Sequence, residues 1–117
     1  MTLQECYEKM GADYKGVMRR FRKEERVLKY IIKFADGMDT EKIRKALEEK
    51  DYEHAFRFVH NLKGNSLNLD LTPLYKISDV LCEELRNGAP SRDVAPMLEQ
   101  LENEYTRVVG LIRQIEQ

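Results

Sequence analysis

Apolar residues recur along the chain at intervals of three and four, and no stretch alternates apolar and polar positions long enough to make a half-buried strand. The pattern predicts helices throughout. A first helix over about Leu3 to Met10 stops at Gly11, and Asp13 caps a second that carries Tyr14, Val17, Met18 and Phe21. A third begins near Glu24, sets Leu28, Ile31 and Ala35 on one side with Val27, Ile32 and Phe34 beside them, and ends near Asp36-Gly37. Thr40 is the expected cap of a helix over Glu41 to Lys50, with Ile43 and Leu47 one turn apart and Ala46 beside them. From Asp51 or Tyr52 to Leu69 the four-three repeat of Ala55, Val59, Leu62, Ser66 and Leu69 buries one stripe. Thr72 as N-cap and Pro73 at the first helical position restart the chain, and Leu74, Ile77, Leu81 and Leu85 run to a stop at Asn87-Gly88. Val94, Leu98, Leu101, Tyr105, Val108, Ile112 and Ile115 give the last helix a seven-residue pattern to the C-terminus. Asp93 is its expected cap, since Pro96 then lies in the first turn, where its missing N–H costs nothing.

Amphipathic helices joined by short Gly, Pro or Asp turns predict an antiparallel up-and-down four-helix bundle with additional short N-terminal helices, spanning residues 1–117 as a single domain. A length of 117 residues suits one core. With 20 Lys+Arg against 21 Asp+Glu there is no global field to hold a polyanion, so nucleic acid is not an expected partner. The longest apolar run is three residues, for example Tyr30-Ile31-Ile32, which excludes a membrane span or signal-peptide core and makes the cytoplasm the expected location. Cys6 and Cys82 lack CxxC spacing and read as free thiols. Eight basic residues between Lys15 and Lys33, against Glu24 and Glu25, read as a solvated helix face, or else as a dock for an acidic partner.

One position departs from the logic of a bundle. With Leu62 at the centre of its buried stripe and about 100° per residue, Phe58 falls near that stripe while His60 lies about 160° away, facing solvent. Phe56, Lys63, Gly64 and Leu67 stand one or two turns from it on the same outer face. Glycine inside a helix costs about 1 kcal/mol relative to alanine. Two readings of Gly64 are open: a packing glycine against a neighbouring helix, or a gap that lets a partner reach the imidazole. On the second reading Lys63 attracts an anion, and Phe56 and Leu67, with Arg57 and Asn61, form a docking rim. The anion best suited to an imidazole is a phosphoryl group. His54, about 120° round the helix from His60, cannot share a metal with it, and no metal site is expected.

The run His60-Asn61-Leu62-Lys63-Gly64 resembles the His-x-Leu-Lys-Gly signature of histidine-containing phosphotransfer (HPt) domains. The likeness extends to Gly11-Ala12-Asp13-Tyr14, Arg20-Phe21, Glu25, Phe34, Ala46-Leu47, Asp51-Tyr52 and the pattern Leu74, Ser78, Leu81, Leu85-Arg86. The resemblance implies a phosphocarrier in a multistep two-component relay. His60 would take a phosphoryl group from a receiver-domain aspartyl phosphate and pass it to another receiver. Lys63 would offset phosphate charge and Gly64 would keep access open. Partners would be response-regulator receiver domains, with a hybrid histidine kinase as a further candidate; the strongly charged outer faces, independently of the resemblance, make a monomer the expectation. The chain departs from the family pattern at Asn65, where small residues are common, and at Asp70, where glycine is common.

The chain has no Gly-rich nucleotide loop and no carboxylate cluster for Mg²⁺, so autonomous kinase activity is not expected, and Mg²⁺ would be supplied by the receiver. The rival reading is a non-catalytic helical docking module that binds a receiver or kinase without carrying phosphate.

Overall fold

The computed structural model describes residues 1–37 and 39–116. Among these, seven helices and no strands are found: α1 (Leu3–Met10), α2 (Tyr14–Phe21), α3 (Glu24–Ala35), α4 (Asp39–Glu48), α5 (Tyr52–Asn68), α6 (Thr72–Leu85) and α7 (Ala95–Ile112). Helices α4 to α7 pack in a closed ring, α4 on α5, α5 on α6, α6 on α7 and α7 back on α4. Short links between neighbours make that ring the antiparallel up-and-down four-helix bundle. Helices α1 and α3 lean on α7 from outside, and α2 bridges α1 and α3. Of the N-terminal helices only α1 and α2, at 8 residues each, are short; α3 has 12, more than the 10 of α4.

Local chemistry explains most boundaries. Thr2 and Glu5 form a reciprocal capping box at the start of α1, and Gly11 ends that helix at φ 70, in the left-handed region. Asp13 accepts from the Gly16 N–H at the start of α2, and Asp51 accepts from the His54 N–H at the start of α5.

Three expected caps are corrected. Thr40 lies inside α4, which begins at Asp39 and ends at Glu48; Lys50 then turns the chain at φ 56. Thr72 is the first helical residue of α6 rather than its cap. Leu71 holds the cap position; its hydrocarbon side chain has no acceptor to offer the helix and is buried in the core instead. At α7 the cap position belongs to Val94, although Asp93 still accepts from the Ala95 N–H at 3.0 Å. The last helix stops at Ile112, and buried Ile115 follows in a turn.

The core runs through the ring, with Ile43, Val59, Leu62, Leu74, Leu81, Leu85 and Leu101 fully buried. Cys6 and Cys82 are free and buried within it. Helix α7 also fastens the outer helices. Arg107 donates to the carbonyls of Lys9 and Met10, satisfying the end of α1, and the Tyr105 hydroxyl donates to the Phe34 carbonyl near the end of α3.

The α5–α6 turn is one of three places where a non-glycine residue takes a positive φ among the described residues, with Arg22 and Lys50. Asp70 adopts φ 55, a conformation costly to an L-residue and free to glycine. Its carboxylate lies 3.6 Å from Arg20, yet one oxygen is buried with no hydrogen-bond partner among the described residues. Burial, with Asp13 adding to it, pushes the Asp70 carboxyl above its ordinary value despite the nearby arginines. A raised carboxyl binds its proton more readily in the folded state, so its ionisation destabilises the fold at neutral pH, and that penalty disappears in acid. Asp70→Gly should therefore raise stability by about 1 kcal/mol at pH 7. The gain should shrink as pH falls toward about 4, the ordinary carboxyl range, and level off below it, leaving the backbone part. Urea melts at the two pH values check this; a loss of stability at pH 7 would show that the Arg20 attraction outweighs strain and burial.

Candidate functional site

Helix α5 presents two unlike faces. Ala55, Val59, Leu62 and Ser66 are fully buried and Leu69 nearly so. The Ser66 hydroxyl spends its proton locally, donating to the Leu62 carbonyl at 2.8 Å, so the one polar residue of the stripe is satisfied. The C-terminal end is held from α1, where the buried Tyr7 hydroxyl donates to the Leu69 carbonyl at 2.8 Å. Burial, together with the Asp70 charge, keeps that phenol protonated by raising it far above its ordinary value.

On the opposite face His60 is exposed. Its ring lies 5.7 Å from that of Phe56, centroid to centroid, with the planes tilted by 36°. Phe56 itself is only half-exposed and packs against the core. The Arg86 guanidinium stands 5.4 Å over the Phe56 ring, and Arg86 is held by a two-pronged pair with Glu83. The sequence expectation of Phe56 as an open rim residue is thus revised, because α6 covers one of its sides. Leu67, two turns beyond His60 on the same helix, is 49% exposed and offers apolar surface to solvent. Arg57 and Asn61 are exposed, and Arg57 pairs with Glu53 on its own helix at 2.9 Å.

Gly64 settles one of the two readings left open. A Cβ placed on it would meet nothing within 4 Å. No neighbouring helix requires the glycine for packing. Its effect is local: it leaves open space one turn beyond His60 on the outer face.

Lys63 is not the free cation that spacing alone implies. Its Nζ lies 2.8 Å from Oδ1 of Asp79 on α6, and its side chain is only 20% exposed. The Asp79 carboxylate holds the Lys63 ammonium above the usual lysine range. Asp79, Glu83 and Arg86 are therefore parts of the site that sequence reasoning missed. Their signal was present: they follow a four-three interval just beside the buried stripe of Ser78, Cys82 and Leu85. What was lacking was which flank of α6 turns toward α5.

His54 is exposed at the start of α5, where its Nδ1 hydrogen-bonds with the Asp51 carboxylate at 2.7 Å. It takes no part in the His60 face. Among the described residues no three His, Cys, Asp or Glu side chains stand together to hold a metal ion, and no helix is long and apolar enough to cross a membrane. The basic side chains between Lys15 and Lys33 are all exposed. Two of them, Arg20 and Lys33, edge a cleft of about 630 Å³ between the α2–α3 hairpin and the C-terminal part of α5.

The comparisons with known proteins agree with this geometry. The Hpt domain family model matches residues 37–110, the segment that forms the α4–α7 ring and contains His60. The match spans well over half of the chain, and the protein belongs to the Hpt family, the histidine-containing phosphotransfer modules of phosphorelays. Among solved structures the fold is similar to the HPT domain of the Hpt sensor hybrid histidine kinase from Shewanella. The TM-score is 0.72 at 20% identity, over 90% of this chain and 92% of that one. No curated protein matches the chain.

Because Gly64 has no packing duty, Gly64→Ala should stabilise the protein by about 0.5–1 kcal/mol through helix propensity alone. Thermal and urea unfolding check this; a destabilised variant would show a contact at Gly64 that the open space denies.

Proposed function

We propose that this protein is a histidine phosphocarrier in which His60 accepts a phosphoryl group from the aspartyl phosphate of one receiver domain and passes it to the aspartate of another. The observation that carries the reading is an outward imidazole beside a glycine whose Cβ position is empty. It rests equally on the family to which the chain belongs.

Phosphoryl transfer is chiefly a matter of in-line positioning and charge neutralisation. The neutral imidazole offers a ring-nitrogen lone pair to phosphorus. As the N–P bond forms, the acyl-phosphate P–O bond breaks, and the receiver aspartate leaves as a carboxylate with the bonding electrons. The ring becomes a phosphorylated imidazolium that keeps its other N–H, so no proton need leave the site. The onward step is the same exchange reversed on a second receiver.

This chain supplies the nitrogen, the space at Gly64, the charge of Lys63 and a landing surface of Leu67, Arg57, Asn61 and the exposed part of Phe56. The Phe56 ring also lies beside the imidazole, 5.7 Å away between centroids. The receiver supplies the acceptor aspartate and its Mg²⁺. The carboxylates beside the site, Asp79, Glu83 and Glu53, are each paired with a cation. The charged outer faces support a monomer that meets receivers one at a time, in the cytoplasm where such relays operate.

Incubation with a phosphorylated receiver domain should give acid-labile, base-stable phosphate that maps to His60, and none on a His60→Gln variant. Label retained by that variant would overturn the assignment. Failure to label the wild type with any receiver that it binds would favour the docking-module reading. Lys63→Ala should slow transfer by about two- to fivefold, the scale of a partly exposed charge, with no change in the unfolding midpoint beyond that of a surface pair. A wild-type rate would show that the lysine is incidental.

A further inference from the structure

Lys63 cannot serve two anions at once with a single ammonium group. In the unphosphorylated protein it is engaged with Asp79 across the α5–α6 seam, Nζ to Oδ1 at 2.8 Å. The pair is partly exposed, 41% at the Asp79 side chain and 20% at that of Lys63, so water and a competing anion reach it from the Asp79 side. A phosphoryl group carries up to about two negative charges and three acceptor oxygens, and outcompetes a carboxylate for a nearby ammonium. His60 and Lys63 stand three residues apart on one helix, the spacing at which side chains meet.

We infer that Asp79 is a positioning residue: it parks the Lys63 ammonium on α6 while His60 is bare and releases it to the phosphoryl group when His60 is loaded. The inference rests on the carrier reading of His60. Neutralising Lys63 in the bare state lowers the local positive charge that would otherwise hold stray anions against the ring. On loading, Lys63 turns about its flexible stem, the Asp79 carboxylate is returned to water, and the new charge is balanced without movement of either helix. No covalent bond changes in this exchange; only the partner of the ammonium does.

Glu83 and Arg86 repeat the arrangement beside Phe56, with a carboxylate of α6 holding a cation that stacks on the Phe56 ring. That pair lies within one helix, three residues apart, whereas the Lys63–Asp79 pair joins two helices. Lys63 is therefore the cation whose release frees it toward the face of α5.

Phosphoramidate provides a small-molecule donor that needs no receiver. The Lys63 Nζ and Asp79 Cγ resonances of the full chain are followed by NMR during loading, with phosphate on His60 confirmed by mapping. Loading should shift both resonances together, and neither should move in His60→Gln treated alike. If His60 loads while both resonances stay still, the pair is static and the inference is overturned, with the carrier reading intact. If His60 takes no phosphate from phosphoramidate or from any receiver, both fall. Asp79→Asn should speed loading by about two- to fivefold, because the anionic donor then meets an unpaired ammonium, and Asp79→Glu should restore the wild-type rate. An Asn variant that loads at the wild-type rate would contradict the parked-lysine role even if the fold is unchanged.

Discussion

Everything at the His60 face depends on α5 being held from one side only. Its stripe from Ala55 to Leu69 is sealed against α4 and α6, while on the far side His60 is exposed and no neighbouring helix among the described residues comes within 4 Å of a Cβ placed on Gly64. Such a helix would rock or fray if packing were its only restraint, so its ends are fixed independently. Asp51 caps the start, and the Tyr7 hydroxyl of α1 grips the Leu69 carbonyl at the finish. The N-terminal helices thus act on the site at a distance. They secure the end of α5 without standing over its open face.

The second constraint is electrical. Two cations beside a bare imidazole would attract any passing anion, yet a site without them would do little to balance a bound phosphoryl group. Helix α6 resolves the conflict by pairing Lys63 with Asp79 and Arg86 with Glu83. The same economy runs through the chain, whose net charge is −1 although more than a third of its residues are charged. Local charge is paired at the surface, and the whole molecule keeps no strong field.

Much of this was legible in the residues. The four-three repeats located all seven helices to within a few positions, and about 100° per residue put His60 outside and Leu62 inside. The caps were less legible. Thr40 and Thr72 have the right chemistry but lie inside their helices, and at α6 the cap position falls on Leu71, which is buried in the core. Asp70 marked itself as a departure from the glycine common in its family, and the left-handed φ explains both the usual glycine and the strain. The partners of Lys63 and Phe56 lay beyond reach, since one helix's periodicity cannot say which flank of another turns toward it. Gly64 stood between. Its oddity was plain in the sequence, but choosing between packing and access needed the neighbouring helices in place.

The central claim is that the open space at Gly64 exists so that a partner can reach His60. The most direct measurement is the transfer rate from a phosphorylated receiver to a Gly64→Gln variant, with folded stability determined on the same sample. Transfer should fall by at least about tenfold, as expected when reacting groups are held out of line. Stability should stay at or above the wild-type value, because glutamine is the better helix former. A variant as stable as the wild type that transfers at the wild-type rate would contradict it.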